Sequence, residues 1–305
     1  MSLATLSAVP VVPISKFGLW IRAARPRTLT IAVSPVIVGA ALAWREVGAI
    51  AWLPVLTALV VAIAIQIGTN LMNDAADGAR GHDGPGRLGP LRVTAAGLLD
   101  LADVRRAGFI AFAVAGLAGL HAVHVGGWPI LAIGIASVVA GLCYSNGPRP
   151  IAFTPFGEAF VVAFFGVAAV VGTALLAGAG LSAAGVLLGV ALGLPAAAVL
   201  MVNNHRDRDA DQRNGRRTLA IVIGPHWSAF AYAVMLLAPI LIMPVVADLL
   251  RAVGFVAVIL LLAPAAFLMF RFTTTPIGIG LNRLLALTAL YQLALAIVVT
   301  LALMV

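Results

Sequence analysis

Charge is what this chain has least of. Asp, Glu, Lys and Arg make up 10% of its 305 residues, against 62% hydrophobic, and lysine occurs once, at Lys16. That balance excludes a soluble globular domain, in which about a quarter of the residues are charged. A single cysteine, Cys143, excludes an internal disulfide and gives none of the paired spacings of a cysteine metal site. Short segments of alternating apolar and polar residues are missing, which excludes a membrane barrel. The first fifteen residues have no basic start and no clear cleavage site, so no signal peptide is read there. Nothing suggests the basic-aromatic surface of an RNA- or DNA-binding protein, and no nucleic acid is expected as a partner.

What is present is a succession of apolar runs, with a mean hydropathy of +1.10. The expected fold is all-α, a polytopic membrane protein of nine transmembrane helices. The spans fall near 27–45, 50–72, 105–124, 127–145, 157–178, 183–204, 225–247, 251–270 and 284–304. Gly or Pro marks the breaks, at Gly126-Gly127, Gly147-Pro148-Arg149-Pro150, Gly178 to Gly180 and Gly224-Pro225. Ahead of the first span, Phe17-Gly18-Leu19-Trp20-Ile21-Arg22 suits a short interfacial helix with an aromatic anchor. With nine spans, the N-terminus and every second loop share one side. All nineteen basic residues except Arg45 and Arg251 fall there. The positive-inside rule makes that side cytoplasmic and leaves the C-terminus opposite, as in a multi-pass protein of the cell (inner or plasma) membrane. The net charge of +8 is mostly this asymmetry, and it argues for anionic membrane lipid or an anionic substrate.

The few acids are not scattered. Seven of the eleven (Asp74, Asp77, Asp83, Asp207, Asp209, Asp211 and, more loosely, Glu158) lie in or beside two segments, 70–77 with Asp83 and 203–211. A carboxylate at the centre of a membrane helix costs roughly 2.5–3.5 kcal/mol on insertion scales, so such clusters need a use. Gln66, Asn70, Asn73, Asp74 and Asp77 recur at helical spacing and share one face, as do Asn203, Asp207, Asp211 and Asn214. Each helix then carries a stripe of carboxylates and amides at its cytoplasmic end, with no His or Cys on it. That oxygen set suits Mg2+, which is held by few carboxylates and by substrate phosphates. The two segments end spans two and six. This spacing suggests one domain, 1–305, of two pseudo-repeated four-helix halves plus a final helix.

Arginines surround the acids: Arg80, Arg87 and Arg92, then Arg149, then Arg206, Arg213, Arg216 and Arg217. Carboxylates alone suggest a cation site, as in an ion-coupled transporter. Carboxylates with arginine suggest a metal-bridged diphosphate gripped by forked hydrogen bonds. Any single arginine is equally a topology determinant or an ion-pair partner. A diphosphate held beside a lipid-filled cavity points to transfer from an allylic polyprenyl diphosphate to an electron-rich acceptor. Phe164 and Phe165 either wall such a cavity or pack in the core or against lipid. Gln292 with Tyr291 either lines a groove or bonds helix to helix. His82 and His205 read as solvated loop residues.

These residues resemble the UbiA superfamily of intramembrane aromatic prenyltransferases. Asn73-Asp74-x-x-Asp77 matches its first motif, Asp83 stands for the further acid, and Asp207-x-x-x-Asp211 matches the second motif. Within the superfamily the chain is most similar to the branch acting on 1,4-dihydroxy-2-naphthoate. The strings are Ala24-Arg25-Pro26-Arg27-Thr28-Leu29, Gly81-His82-Asp83, Arg87-Leu88-Gly89-Pro90-Leu91-Arg92, Tyr144 with Arg149-Pro150, and Asn203-Asn204-x-Arg206-Asp207 with Asp211, Asn214-Gly215 and Thr218-Leu219.

The resemblance implies a UbiA-like bundle around a central cavity. It implies transfer from a polyprenyl diphosphate to 1,4-dihydroxy-2-naphthoate with decarboxylation, giving demethylmenaquinol in menaquinone biosynthesis. Asp77, Asp83, Asp207 and Asp211, with Asn73, would hold Mg2+ against the diphosphate, with Asp74 as a neighbouring metal ligand. Asn203 would face the diphosphate, Arg149 and Arg206 would bind its oxygens, and Asn70 and Asn204 would join the substrate-binding set. Arg87 and Arg92 would cap the site or meet the naphthoate carboxylate. Tyr144 would lie near the allylic carbon, stabilising the cation or orienting the acceptor. Two features depart from the family. Asp83 follows Asp77 by six residues, where the ubiquinone-pathway branch has four, and Glu158 stands where an Asp is common. Another aromatic acceptor, such as 4-hydroxybenzoate, and an ion-coupled transporter are the alternative readings.

Overall fold

The computed structural model describes residues 14–81, 87–246, 256 and 258–305. Asp83 and His82 lie outside the described residues.

The described residues are helical throughout their apolar runs, with no strand among them. Helix α1 (Lys16–Ala24) starts at Ser15, whose Oγ accepts from Gly18 N at 3.1 Å and so satisfies one free helix-end donor. Its Leu19 and Ala23 pack inward while Phe17 and Ile21 stay exposed. The helix ends at Arg25, which has φ 55° and is the only non-glycine residue of positive φ among those described. A bulky residue in the left-handed region, directly before Pro26, is held there by its surroundings at a cost of about 1–3 kcal/mol.

Then follow α2 (Leu29–Val47), α3 (Trp52–Arg80) and α4 (Leu101–Ser145). Asp100 caps α4 by accepting from Ala102 N and Asp103 N. Inside α4 the backbone breaks at Gly127, with φ 66° and ψ −151°, so the 45-residue element is two helical arms. The arms match the two spans expected on either side of Gly126-Gly127. Next come α5 (Gly157–Leu176), α6 (Ala183–Arg213), α7 (Leu219–Ile242), α8 (Leu262–Thr274) and α9 (Leu281–Met304).

Seven helices among the described residues are long and apolar enough to cross a membrane, against the nine spans expected. Two causes account for the difference. The two arms of α4 meet at the Gly127 kink with no loop between them and make one long element, and the start of the expected span 251–270 falls on residues outside those described, leaving α8 as its described part.

The interior is held by small residues and by a few internal polar bonds. A Cβ built on Gly166 would stand 2.3 Å from Gly189 O, and one on Gly193 would stand 2.8 Å from Val162 Cα. The backbones of α5 and α6 touch there, and only glycine permits it. A π-helical stretch, Ala163–Ala168, lies in α5 at that contact. Gln292 Nε2 donates to Leu192 O at 3.3 Å and Tyr291 O–H to Leu236 O at 2.9 Å, so both serve helix–helix bonding. His205 is buried with its ring 4.6 Å from that of Phe272, not solvated. The outer face is apolar instead: Phe109, Leu117 and Trp128 of α4 are all more than half exposed. An exposed apolar belt around the bundle is not the surface of a water-soluble protein and suits lipid as solvent.

Candidate active site

A cavity of about 970 Å³ runs through the bundle. It follows α3 from Ala58 to Asn73 and α5 from Gly157 to Leu176. At 1.5 Å per residue this is roughly 20–30 Å, most of the ~30 Å hydrocarbon core. Its far part is walled by residues such as Val61, Leu120, Ile130 and Leu176. Phe160, Phe164 and Phe165 line it as well, which decides the open reading of the last two in favour of the cavity wall. The near end is polar: Arg25, Asn73, Arg87, Arg92, Tyr144, Asn203, Asn204 and Arg216 all line it.

The two acid segments meet at this end, though more than a hundred residues apart in sequence. Asp77 of α3 is 1% exposed. Its Oδ2 accepts from Arg92 at 2.7 Å and its Oδ1 from Arg216 at 2.6 Å. Arg216 also reaches Asp211 of α6 at 3.4 Å and lies over the Phe153 ring, 4.8 Å from its centroid. One guanidinium therefore ties the first acid motif to the second. Arg25, aimed by its left-handed backbone, donates to Asn73 Oδ1 at 3.2 Å, and Asn73 Nδ2 donates to Ser145 Oγ at 2.7 Å. Asn70 Nδ2 donates to Ala24 O at 2.9 Å, so part of its role is to hold the end of α1.

Arg206 is 1% exposed and committed to the protein. It forks onto both oxygens of Asp207 and donates to Asn203 Oδ1 at 2.7 Å and Asn282 Oδ1 at 2.6 Å. Asn282 in turn donates to Leu88 O at 2.9 Å. The loop 87–92 lies against this buried group, since a Cβ on Gly89 would stand 2.6 Å from an Arg206 nitrogen. Arg206 does not line the cavity, and its donors point to Asp207, Asn203 and Asn282.

Two more expected residues stand elsewhere. Asp74 is turned to the following loop, where Oδ1 accepts from Thr94 N at 3.0 Å and Thr94 Oγ1 at 2.6 Å, and Oδ2 from Val93 N at 3.3 Å. Its oxygens hold a turn and do not face the cavity. Arg149 is exposed on the loop after α4 and is not among the cavity-lining residues. Arg25 and Arg216 line the cavity in its place. Neither was in the expected site, although both lie in the strings that carry the resemblance or directly beside them.

The donor set suits a hard cation. Asp77, Asp207, Asp211 and the amides of Asn73 and Asn203 offer oxygen. Among the described residues no three of His, Cys, Asp and Glu gather closely enough to form a metal centre by themselves. Such a set fits a cation that completes its coordination with substrate phosphates and water.

A helical membrane bundle with a long, largely apolar cavity, lined at one end by arginines that pair with both Asp motifs, is built for an amphiphile with an anionic head. Residues 32–276 match the UbiA prenyltransferase family, and the chain belongs to it. It is 37% identical to the 1,4-dihydroxy-2-naphthoate octaprenyltransferase of Escherichia coli (strain K12), over 69% of this chain and 70% of that protein. It is 34% identical to the 1,4-dihydroxy-2-naphthoate octaprenyltransferase of Mycobacterium leprae (strain TN), over 80% and 83%. Among solved structures, a UbiA homolog from Archaeoglobus fulgidus bound to GPP and Mg2+ has the same fold, with TM-score 0.68 at 15% identity over 94% of this chain and all of that one.

Proposed function

We propose that this chain transfers a polyprenyl group from an allylic polyprenyl diphosphate to 1,4-dihydroxy-2-naphthoate, with loss of CO2, giving demethylmenaquinol. One observation carries the reading: one cavity joins an arginine-lined mouth, backed by both acid segments, to an apolar channel, and together they cover most of the hydrocarbon core. The names of the two bacterial relatives support the choice of acceptor. The same reading puts the mouth, with the loop 87–92, on the cytoplasmic side of the cell membrane, where both substrates' polar ends would enter.

Asp77, Asp207 and Asp211, with Asn73, would hold Mg2+, and Asp83 would join them from outside the described residues. When bound, the cation would supply positive charge to the leaving diphosphate. Arg25 and Arg87 would donate to its remaining oxygens, and Arg216, whose two terminal nitrogens hold Asp77 and Asp211, would add positive charge beside it. The allylic C–O bond breaks and its electron pair leaves with the diphosphate, where these guanidinium groups face the charge that develops. The allylic cation is left among the rings of Tyr144, Phe160 and Phe164, whose faces favour a cation while their apolar walls exclude water. The electron-rich ring of the acceptor forms the new C–C bond, and loss of its carboxylate as CO2 returns an electron pair to the ring.

The test is product analysis by mass spectrometry after incubation with geranylgeranyl diphosphate, Mg2+ and the naphthoate. A decarboxylated prenyl-naphthoquinone that disappears with EDTA supports the proposal. Product from 4-hydroxybenzoate but none from the naphthoate would move the acceptor and keep the family.

A further inference from the structure

Glu158 is the second residue of α5 and is 3% exposed. Its Oε1 accepts from Asn204 Nδ2 at 2.9 Å, and its Oε2 is buried without a hydrogen-bond partner. An ionised Glu158 can only accept, so the amide of Asn204 turns its NH2 to Glu158 and its carbonyl oxygen away. Asn204 lines the cavity, and its Oδ1 makes no hydrogen bond to any described residue. This corner of the cavity is therefore short of donors, with one oxygen bare in the wall and one buried behind it. Buried polar groups are nearly always paired, so a ligand that brings a hydrogen-bond donor suits the site.

The rest of the polar end has the opposite character. Arg25, Arg87 and Arg216 offer N–H groups, which match an anion and cannot accept from a hydroxyl. Tyr144 and Phe160 line the same cavity from α4 and α5, so a flat ring finds aromatic walls within it. The polar groups thus sort by chemistry into an anion subsite and a hydroxyl subsite.

We infer that Asn204 Oδ1 accepts a hydrogen bond from a ring hydroxyl of the aromatic acceptor, and that Glu158 is the positioning residue that fixes the amide for it. The inference deepens the prenyl-transfer reading and rests on it for the identity of the ring. Glu158 does not line the cavity and acts through Asn204.

The experiment measures binding, not turnover. Purified protein with Mg2+ and geranylgeranyl S-thiolodiphosphate, whose sulfur bridge resists ionisation, is titrated anaerobically with 1,4-dihydroxy-2-naphthoate and with 2-naphthoate, which has no hydroxyl. Wild-type protein should prefer the dihydroxy compound by about tenfold, the worth of one net hydrogen bond. Asn204→Ala should reduce the preference to within about twofold. Glu158→Gln, which lets the amide turn either way, should leave about threefold. The affinity for the diphosphate analogue should stay unchanged in both variants, which also shows that each is folded. A full preference retained in Asn204→Ala, or an equal loss of diphosphate affinity in both variants, overturns the inference. Wild-type protein that shows the preference but yields no prenylated product from any aromatic acceptor would overturn the prenyl-transfer reading and leave the hydroxyl subsite standing.

Discussion

Asp74 stands in the family motif three residues before Asp77, yet the structure gives the two carboxylates different partners. The perturbation that separates them is Asp74→Asn. Asn keeps Oδ1 as acceptor for Thr94 N and Thr94 Oγ1 but replaces Oδ2 with an NH2 facing Val93 N. One charge-assisted bond is lost and two donors are left facing each other in a buried turn, at about 1–3 kcal/mol. Asp74→Ala loses all three bonds and should cost about 3–5 kcal/mol, less than their plain sum because the turn can relax. The assay pairs unfolding of the detergent-solubilised protein with a Mg2+ titration of the initial rate. Both variants should be less stable, and the surviving folded enzyme should half-saturate with Mg2+ within about threefold of wild type. Asp77→Ala should instead abolish turnover at any Mg2+ concentration while the protein stays folded. A tenfold or larger rise in the Mg2+ requirement of Asp74→Asn, with unchanged stability, would refute the assignment of Asp74 to the turn.

Arg216→Ala should lower kcat/KM by about 10²–10³, the usual loss for one donor aimed at developing charge. Arg216→Lys should recover only part of it, since a point charge cannot bridge Asp77 and Asp211 as the fork does. Removing Arg206 leaves Asp207 without its forked partner and should destabilise by about 3–5 kcal/mol in chemical denaturation. Asn282→Ala should raise KM for the prenyl diphosphate more than it lowers kcat, because the loop 87–92 loses its tie to α9. Gly193→Leu should fail to accumulate in membranes, since its Cβ would meet the α5 backbone at 2.8 Å.

That the two acid segments belong together was legible in the sequence. Oxygen donors repeating at helical spacing marked the facing ends of α3 and α6, and the glycine breaks at Gly127 and Gly224 appear where the sequence placed them. What escaped has physical causes. Asp74 shared a polar stripe with Asn73 and Asp77, but at 3.6 residues per turn it sits about 60° around the helix from Asp77. That angle is enough to give it a different neighbour. Arg25 reaches the cavity because its backbone turns left-handed before a proline, which no periodicity announces. Arg149 and Arg216 look alike in sequence, and only packing places one on an exposed loop and the other between two carboxylates. Arg206 was expected on the diphosphate for its position beside Asp207, but burial commits its donors to the protein.

The central claim is that the two acid segments act together on one diphosphate. It is tested most directly by Mg2+-dependent binding of geranylgeranyl S-thiolodiphosphate to wild-type protein, Asp77→Ala and Asp211→Ala. The account predicts that wild type binds only with Mg2+ and that each variant, still folded, loses the Mg2+-dependent component. Retention of wild-type, Mg2+-dependent affinity in either variant would contradict it.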